Sequence, residues 1–178
     1  MVKYADLLKG MQYITPTSYK RANPNWSTPQ FNVRQDEPIY YAGTKLIRFI
    51  GQVQSDNIPN KKGHEKVYIR PSYYNVEIDF KGVERETGLK PEEIKLGHLP
   101  RPSLSQNDIM VRCTCENNRF RVDWANRRVK AAAGTRPPVY PRKWPVSVIP
   151  HLNDDTPMIC KHAVDYIKWL LKFNYIVE

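Results

Sequence analysis

Long apolar runs, an export signal, a full disulfide complement and every common catalytic motif are missing from this chain of 178 residues. No run approaches the roughly 18 apolar residues that cross a bilayer, so no membrane span is expected. The opening Met1-Val2-Lys3-Tyr4-Ala5-Asp6 lacks the apolar stretch of a signal peptide. Three cysteines, an odd number, exclude a self-contained disulfide scaffold, and together with the missing signal they place folding in a reducing cytoplasm. A glycine-rich phosphate loop, a nucleophile elbow and a paired-histidine metal motif are all lacking, so catalysis is not expected. The adjacent Asp154-Asp155, ahead of Thr156-Pro157, mark a turn more simply than an acid/base pair. There is no internal repeat and no low-complexity tract.

What remains is a folded chain of moderate polarity. Hydrophobic residues make up 40 % and charged residues 26 %, which fits one ordinary domain, or one domain with a small satellite. Lys and Arg number 28 against 18 Asp and Glu, and a net charge of +10 favours polyanions or acidic protein surfaces as partners. The excess is concentrated. Residues 111–144 hold nine basic side chains, among them Arg119, Arg121, Arg127, Arg128 and Lys130, and two acidic ones, Glu116 and Asp123. Fifteen prolines and eleven tyrosines point to long, semi-rigid connecting segments that lie on something else.

Along the chain, residues 3–14 read as a short helix, with Tyr4, Leu7, Leu8 and Met11 at helical spacing. Thr15-Pro16 ends it, because a residue before proline is pushed out of the helical region. Residues 16–40, polar and punctuated by Pro24, Pro29 and Pro38, read as an extended arm with no regular core element. Strands are expected at 45–53, 66–70 and 74–80, forming a small antiparallel sheet with one buried face. Lys90-Pro91-Glu92-Glu93 resembles a helix start, and 99–106 a linker. Residues 108–113 form a further strand. A helix is expected over 119–133, with Phe120, Trp124 and Arg128 four apart, three alanines at its end and Gly134 just beyond. After a loop with five prolines over 135–155 comes an amphipathic helix, residues 162–173, whose stripe is Val164, Ile167, Leu170 and Leu171. The expected class is α+β: residues 1–106 with the first helix, the arm and the sheet, then residues 107–178 as a strand-helix-loop-helix module.

All three cysteines fall into one pattern with a histidine. Cys113-Thr114-Cys115 is followed, after 44 intervening residues, by Cys160-Lys161-His162. Three thiolates and one imidazole are the ligand count of a closed tetrahedral zinc site, with no open position for water or substrate. Cysteines one residue apart on a straight strand point to opposite faces, so Cys113 and Cys115 require a tight knuckle at a strand end. Cys160 and His162 are expected on the turn entering the last helix, where the helix N-terminus favours thiolates. His151 is a competing ligand, but beside Pro150 a surface or hydrogen-bonding role fits it better. His64 and His98 stand in polar contexts far from any cysteine.

The Cys-x-Cys…Cys-x-His arrangement resembles the SWIM-type zinc finger over roughly residues 108–172. The surrounding Val111-Arg112-Cys113-Thr114-Cys115, Phe120-Arg121, Trp124-Ala125 and Ile159-Cys160-Lys161-His162 are similar to small zinc-binding virion proteins of tailed bacteriophages. Where those proteins often carry an aspartate-phenylalanine pair, Asn117-Asn118-Arg119-Phe120 stands here, and Met158-Ile159 replaces a frequent glycine. The resemblance implies a structural zinc held by Cys113, Cys115, Cys160 and His162. It also implies a place in a tail, baseplate or neck, with other virion proteins as partners, many copies per particle and synthesis in a host cytoplasm. A second expectation, from the charge, is nucleic-acid binding through the basic segment 119–130, with aromatic side chains stacking on bases.

Overall fold

A computed structural model describes residues 2–11, 31–54, 73–84, 99–115, 118, 122–134 and 156–178. Helix α1 (Tyr4–Met11) precedes strands β1 (Val33–Gln35), β2 (Ile39–Tyr41), β3 (Leu46–Gln54), β4 (Tyr73–Lys81) and β5 (Asp108–Cys113). Helices α2 (Asp123–Arg128) and α3 (Lys161–Lys172) follow. The class is α+β, with a small open antiparallel sheet. Its order is β1-β3-β4-β5, and β2 also pairs with β3. Among the described residues no helix is long and apolar enough to cross a membrane.

Strict alternation builds the centre of the sheet. In β3, Ile47, Phe49, Gly51 and Val53 are buried while their neighbours are half-buried, as a period of two demands. Val76, Ile78 and Phe80 of β4 lie opposite Gly51, Phe49 and Ile47, so both strands turn the same apolar face inward. Onto it packs α3, with Val164, Ile167 and Leu170 fully buried. Each such side chain contributes about 1.5–3 kcal/mol relative to exposure. Beyond that stripe, Lys161, Asp165 and Lys168 are buried as well. Asp165 accepts the Phe31 N–H at 2.8 Å, so the chain around residue 31 covers a second side of the helix.

Two expectations need correction. The arm assigned to 16–40 carries two short strands in its described part. β1 registers Val33 on Val53, and β2 registers Ile39 on Arg48, so together they line one edge of β3. Three-residue edge strands separated by Pro38 carry too little alternation to be recognised from sequence. The second correction concerns the end of the helix expected over 119–133: α2 (Asp123–Arg128), with Asn118 and Val122 ahead of it also helical, stops short of the alanines. Lys130 turns to a φ of 59°, its N–H bonds Arg127 O at 3.3 Å, and the Ala131 N–H bonds Asn126 O at 2.6 Å. This double closure is the Schellman arrangement that stops a helix. The alanines then run extended beside β5: Val111 donates to Ala131 O at 2.8 Å, and Ala133 donates to Val111 O at 3.3 Å. Alanine's helix preference is worth only tenths of a kcal/mol per residue over most alternatives, less than satisfying a strand edge. Gly134, expected just past the helix, instead sits at φ 67° where a Cβ would strike the Glu77 carboxylate and Arg112.

The expected strand at 66–70, the helix start at 90–93 and the loop 135–155 lie outside the described residues. Strand β5, expected at 108–113, is observed with those bounds. It pairs with β4, and the buried side chains from both parts of the chain form one apolar cluster.

Candidate metal centre

Strand β5 ends at Cys113, and the chain turns there. Thr114 donates its N–H to Asn75 O at 2.9 Å, and its hydroxyl accepts the Asn75 N–H at 3.0 Å. That pairing pins the residue between the two cysteines to β4 and lets both sulfurs face one point. The Cys115 N–H approaches Cys113 Sγ at 3.4 Å, and the Asn118 N–H approaches Cys115 Sγ at 3.4 Å. Such amide donors favour the charged sulfur.

The second pair lies where α3 begins. Cys160 occupies the extended position before the first turn, and His162 lies in that turn. All four side chains are buried, and their ligand atoms lie within 4.8 Å of one another. A tetrahedral zinc with sulfur at 2.3 Å and nitrogen near 2.0 Å separates its ligands by roughly 3.5–3.8 Å, so the cluster has the size of one ion's shell. The Cys3His set in the buried core could hold a metal ion.

Electrostatics favour a cation there. Burial pushes the Cys113 thiol well up, and its contacts with Cys115 and Cys160 act in the same direction. For Cys115, the contact with Cys113 pulls down, but Cys160 and burial leave it raised. At Cys160 burial also raises, yet hydrogen bonding from Cys113, Cys115 and the backbone N–H groups of Ala163 and His162 takes the thiol well below its ordinary value. Ionising all three buried sulfurs together requires a positive partner.

The His162 ring is 3 % exposed, and neither ring nitrogen makes a hydrogen bond. It is held by packing, with the Tyr74 ring at 4.6 Å and the Phe31 ring at 5.8 Å between centroids. A buried imidazole with both nitrogens unsatisfied is rare in a native interior, and here it faces three sulfurs.

Asn126 was not singled out by the sequence. It is fully buried on α2; its Nδ2 donates to Met158 O at 2.7 Å and its Oδ1 accepts the Met158 N–H at 2.7 Å. Nothing in the sequence around it signals that role, because its partner lies 32 residues away. Of the basic segment 119–130, Arg127 pairs with Asp123 at 2.6 Å, and Arg112 approaches the same carboxylate at 3.6 Å. Arg128 and Lys130 are exposed. Arg119, Phe120, Arg121 and the Trp124 side chain lie outside the described residues, as do His64, His98 and His151.

Compared with protein-family models, curated proteins and solved structures, the chain matches none.

Proposed function

We propose that Cys113, Cys115, Cys160 and His162 hold a structural zinc ion, and that the chain is a non-catalytic component of a tailed-phage virion whose zinc-stapled module docks neighbouring subunits. The metal assignment is carried by the buried His162 ring, whose two nitrogens lack any hydrogen bond beside three buried sulfurs. Four protein ligands leave no open coordination position, which supports a structural rather than a Lewis-acid role. The virion assignment is supported by the resemblance of residues 111–125 and 159–162 to small virion proteins. It implies other virion proteins as partners and residence in a tail, baseplate or neck. A nucleic-acid role for residues 119–130 has less support, since Asp123 neutralises part of that charge within the fold.

Elemental assay of the purified protein is expected to return one zinc per chain, and Cys160→Ser to fall far below that. Normal metal content in the variant would end the ligand assignment. Mass spectrometry of purified particles is expected to find the chain as a resident component, and its absence there would end the virion reading. Full incorporation of the metal-free variant would separate the ion from assembly. Salt-sensitive retention of nucleic acid by the isolated protein would favour the alternative.

A further inference from the structure

The two halves of the metal centre are joined by more than the ion. Each ligand pair is preceded, two residues upstream, by a residue tied to the α2 segment. Ahead of Cys113, Val111 exchanges backbone hydrogen bonds with Ala131 and Ala133 at 2.8 and 3.3 Å. Ahead of Cys160, Met158 exchanges two 2.7 Å hydrogen bonds with the Asn126 side chain. Asn126 is 0 % exposed, and the amide uses both its acceptor and a donor on one peptide unit. Within α2 the Asn126 carbonyl also accepts the Ala131 N–H at 2.6 Å, so this one residue touches both arms of the bridge.

Metal-binding imidazoles are ordinarily aimed by a hydrogen bond from their second nitrogen to a carboxylate or carbonyl. His162 has no such partner, and its ring is set by Tyr74 and Phe31 alone among the described contacts. Besides this side-chain packing, the backbone leading into the Cys160-Lys161-His162 turn is a place where its orientation can be fixed. The polar side chain seen to grip that backbone just upstream is Asn126.

We propose that Asn126 is a positioning residue for the metal centre: its side-chain amide, clamped on the Met158 peptide unit, fixes the Cys160–His162 turn against the Cys113–Cys115 knuckle before the ion arrives. The inference rests on the zinc reading above. Because the clamp contains no ligand, its loss should leave the donor set intact and loosen its geometry.

The test uses the full chain, with Zn2+ affinity measured by competition against a chromogenic chelator and geometry read from the absorption bands of the Co2+-substituted protein. Asn126→Ala is expected to bind about 10- to 100-fold more weakly, the usual effect of losing an outer-shell contact, with shifted cobalt bands. Asn126→Asp keeps the acceptor for the Met158 N–H but lacks the donor, and it should fall between; it also serves if the alanine variant does not fold. Asn107→Ala is the control. It removes hydrogen bonds to the Ser103 N–H and to the Lys81 and Gly82 carbonyls at the other end of β5, and it should lower stability with affinity and bands unchanged. Wild-type affinity and bands in both Asn126 variants would overturn the positioning role while leaving the zinc site standing. A wild-type chain that takes up neither ion would overturn both. Equal losses in Asn107→Ala and Asn126→Ala would reduce Asn126 to general stability and overturn the proposal.

Discussion

Gly51 faces Tyr166 in the middle of β3, and a Cβ there would come within 2.7 Å of the phenol ring. Tyr166 is fully buried, and its hydroxyl donates to Gln35 Oε1, so the ring cannot swing away without breaking that bond. Gly51→Ala should cost about 1–3 kcal/mol, the ordinary penalty of overpacking, read as a lower urea midpoint. An unchanged midpoint would mean that α3 moves freely off the sheet. On the opposite face, Arg48 grips Asp79 through two hydrogen bonds of 2.7 and 2.8 Å, and Asp79 is 0 % exposed. Arg48 also lies 2.9 Å from Glu77. Burial raises the Glu77 carboxyl above its ordinary 4.5 and Asp79 adds to this, while Arg48 and Arg112 act against them. Such a group holds its proton more tightly folded than unfolded. Its contribution to stability is present at low pH and is lost as pH rises from the ordinary carboxyl range through the folded value. Glu77→Gln should flatten that part of the stability–pH curve, measured by denaturant midpoints at several pH values. An unaltered slope would mean that the carboxyl titrates normally.

Both described helices of the C-terminal part end by the same device. Lys130 follows α2 at φ 59°, and Asn174 follows α3 at φ 58°. After α3, the Asn174 N–H bonds Leu171 O at 3.0 Å and the Tyr175 N–H bonds Leu170 O at 2.9 Å. Asparagine tolerates this left-handed conformation, whereas lysine bears a cost of roughly 1–2 kcal/mol. Lys130→Gly should therefore stabilise the protein by up to about 1 kcal/mol, after glycine's greater unfolded-state freedom is deducted. A thermal scan showing no gain would mean that the Lys130 side chain makes compensating contacts. Elements with strong periodicity, β3, β4, β5 and α3, were legible within a residue or so at each end. β1 and β2 were not, because three residues hold no period, and the alanines at 131–133 were misread because a helix-forming composition was overridden by an open strand edge.

Taken whole, the molecule stacks α3 on one face of an antiparallel sheet and places the Cys3His cluster where β5 ends and α3 begins. Further ties hold α1 to the same elements, one beside the start of α3 and two at the far end of β5. α1 presses Gly10 so close to the Pro157 carbonyl that no Cβ fits, Val2 O accepts the Ile109 N–H at 2.9 Å, and Lys3 pairs with Asp108 at 3.0 Å. Chelating the proposed zinc should nonetheless lower the thermal midpoint by many degrees. A structural zinc supplies on the order of 10 kcal/mol of apparent binding energy, and each kcal/mol moves the midpoint of a chain this size by roughly 2–4 °C. An unmoved midpoint after verified metal loss would mean that these ties suffice without it.

That Cys113, Cys115, Cys160 and His162 gather, with a turn at each pair, could be read from the chain, because dipeptide spacing of soft side chains is a local constraint that any fold must honour. The same holds for the strands with a period of two and the last helix with its apolar stripe. Spatial assembly alone settled the rest: which edge the residues from 33 to 41 join, why three alanines run extended, and that Asn126 grips Met158. Those features depend on groups far apart in sequence competing for the same hydrogen bonds and the same buried volume, and no local pattern records the outcome of that competition.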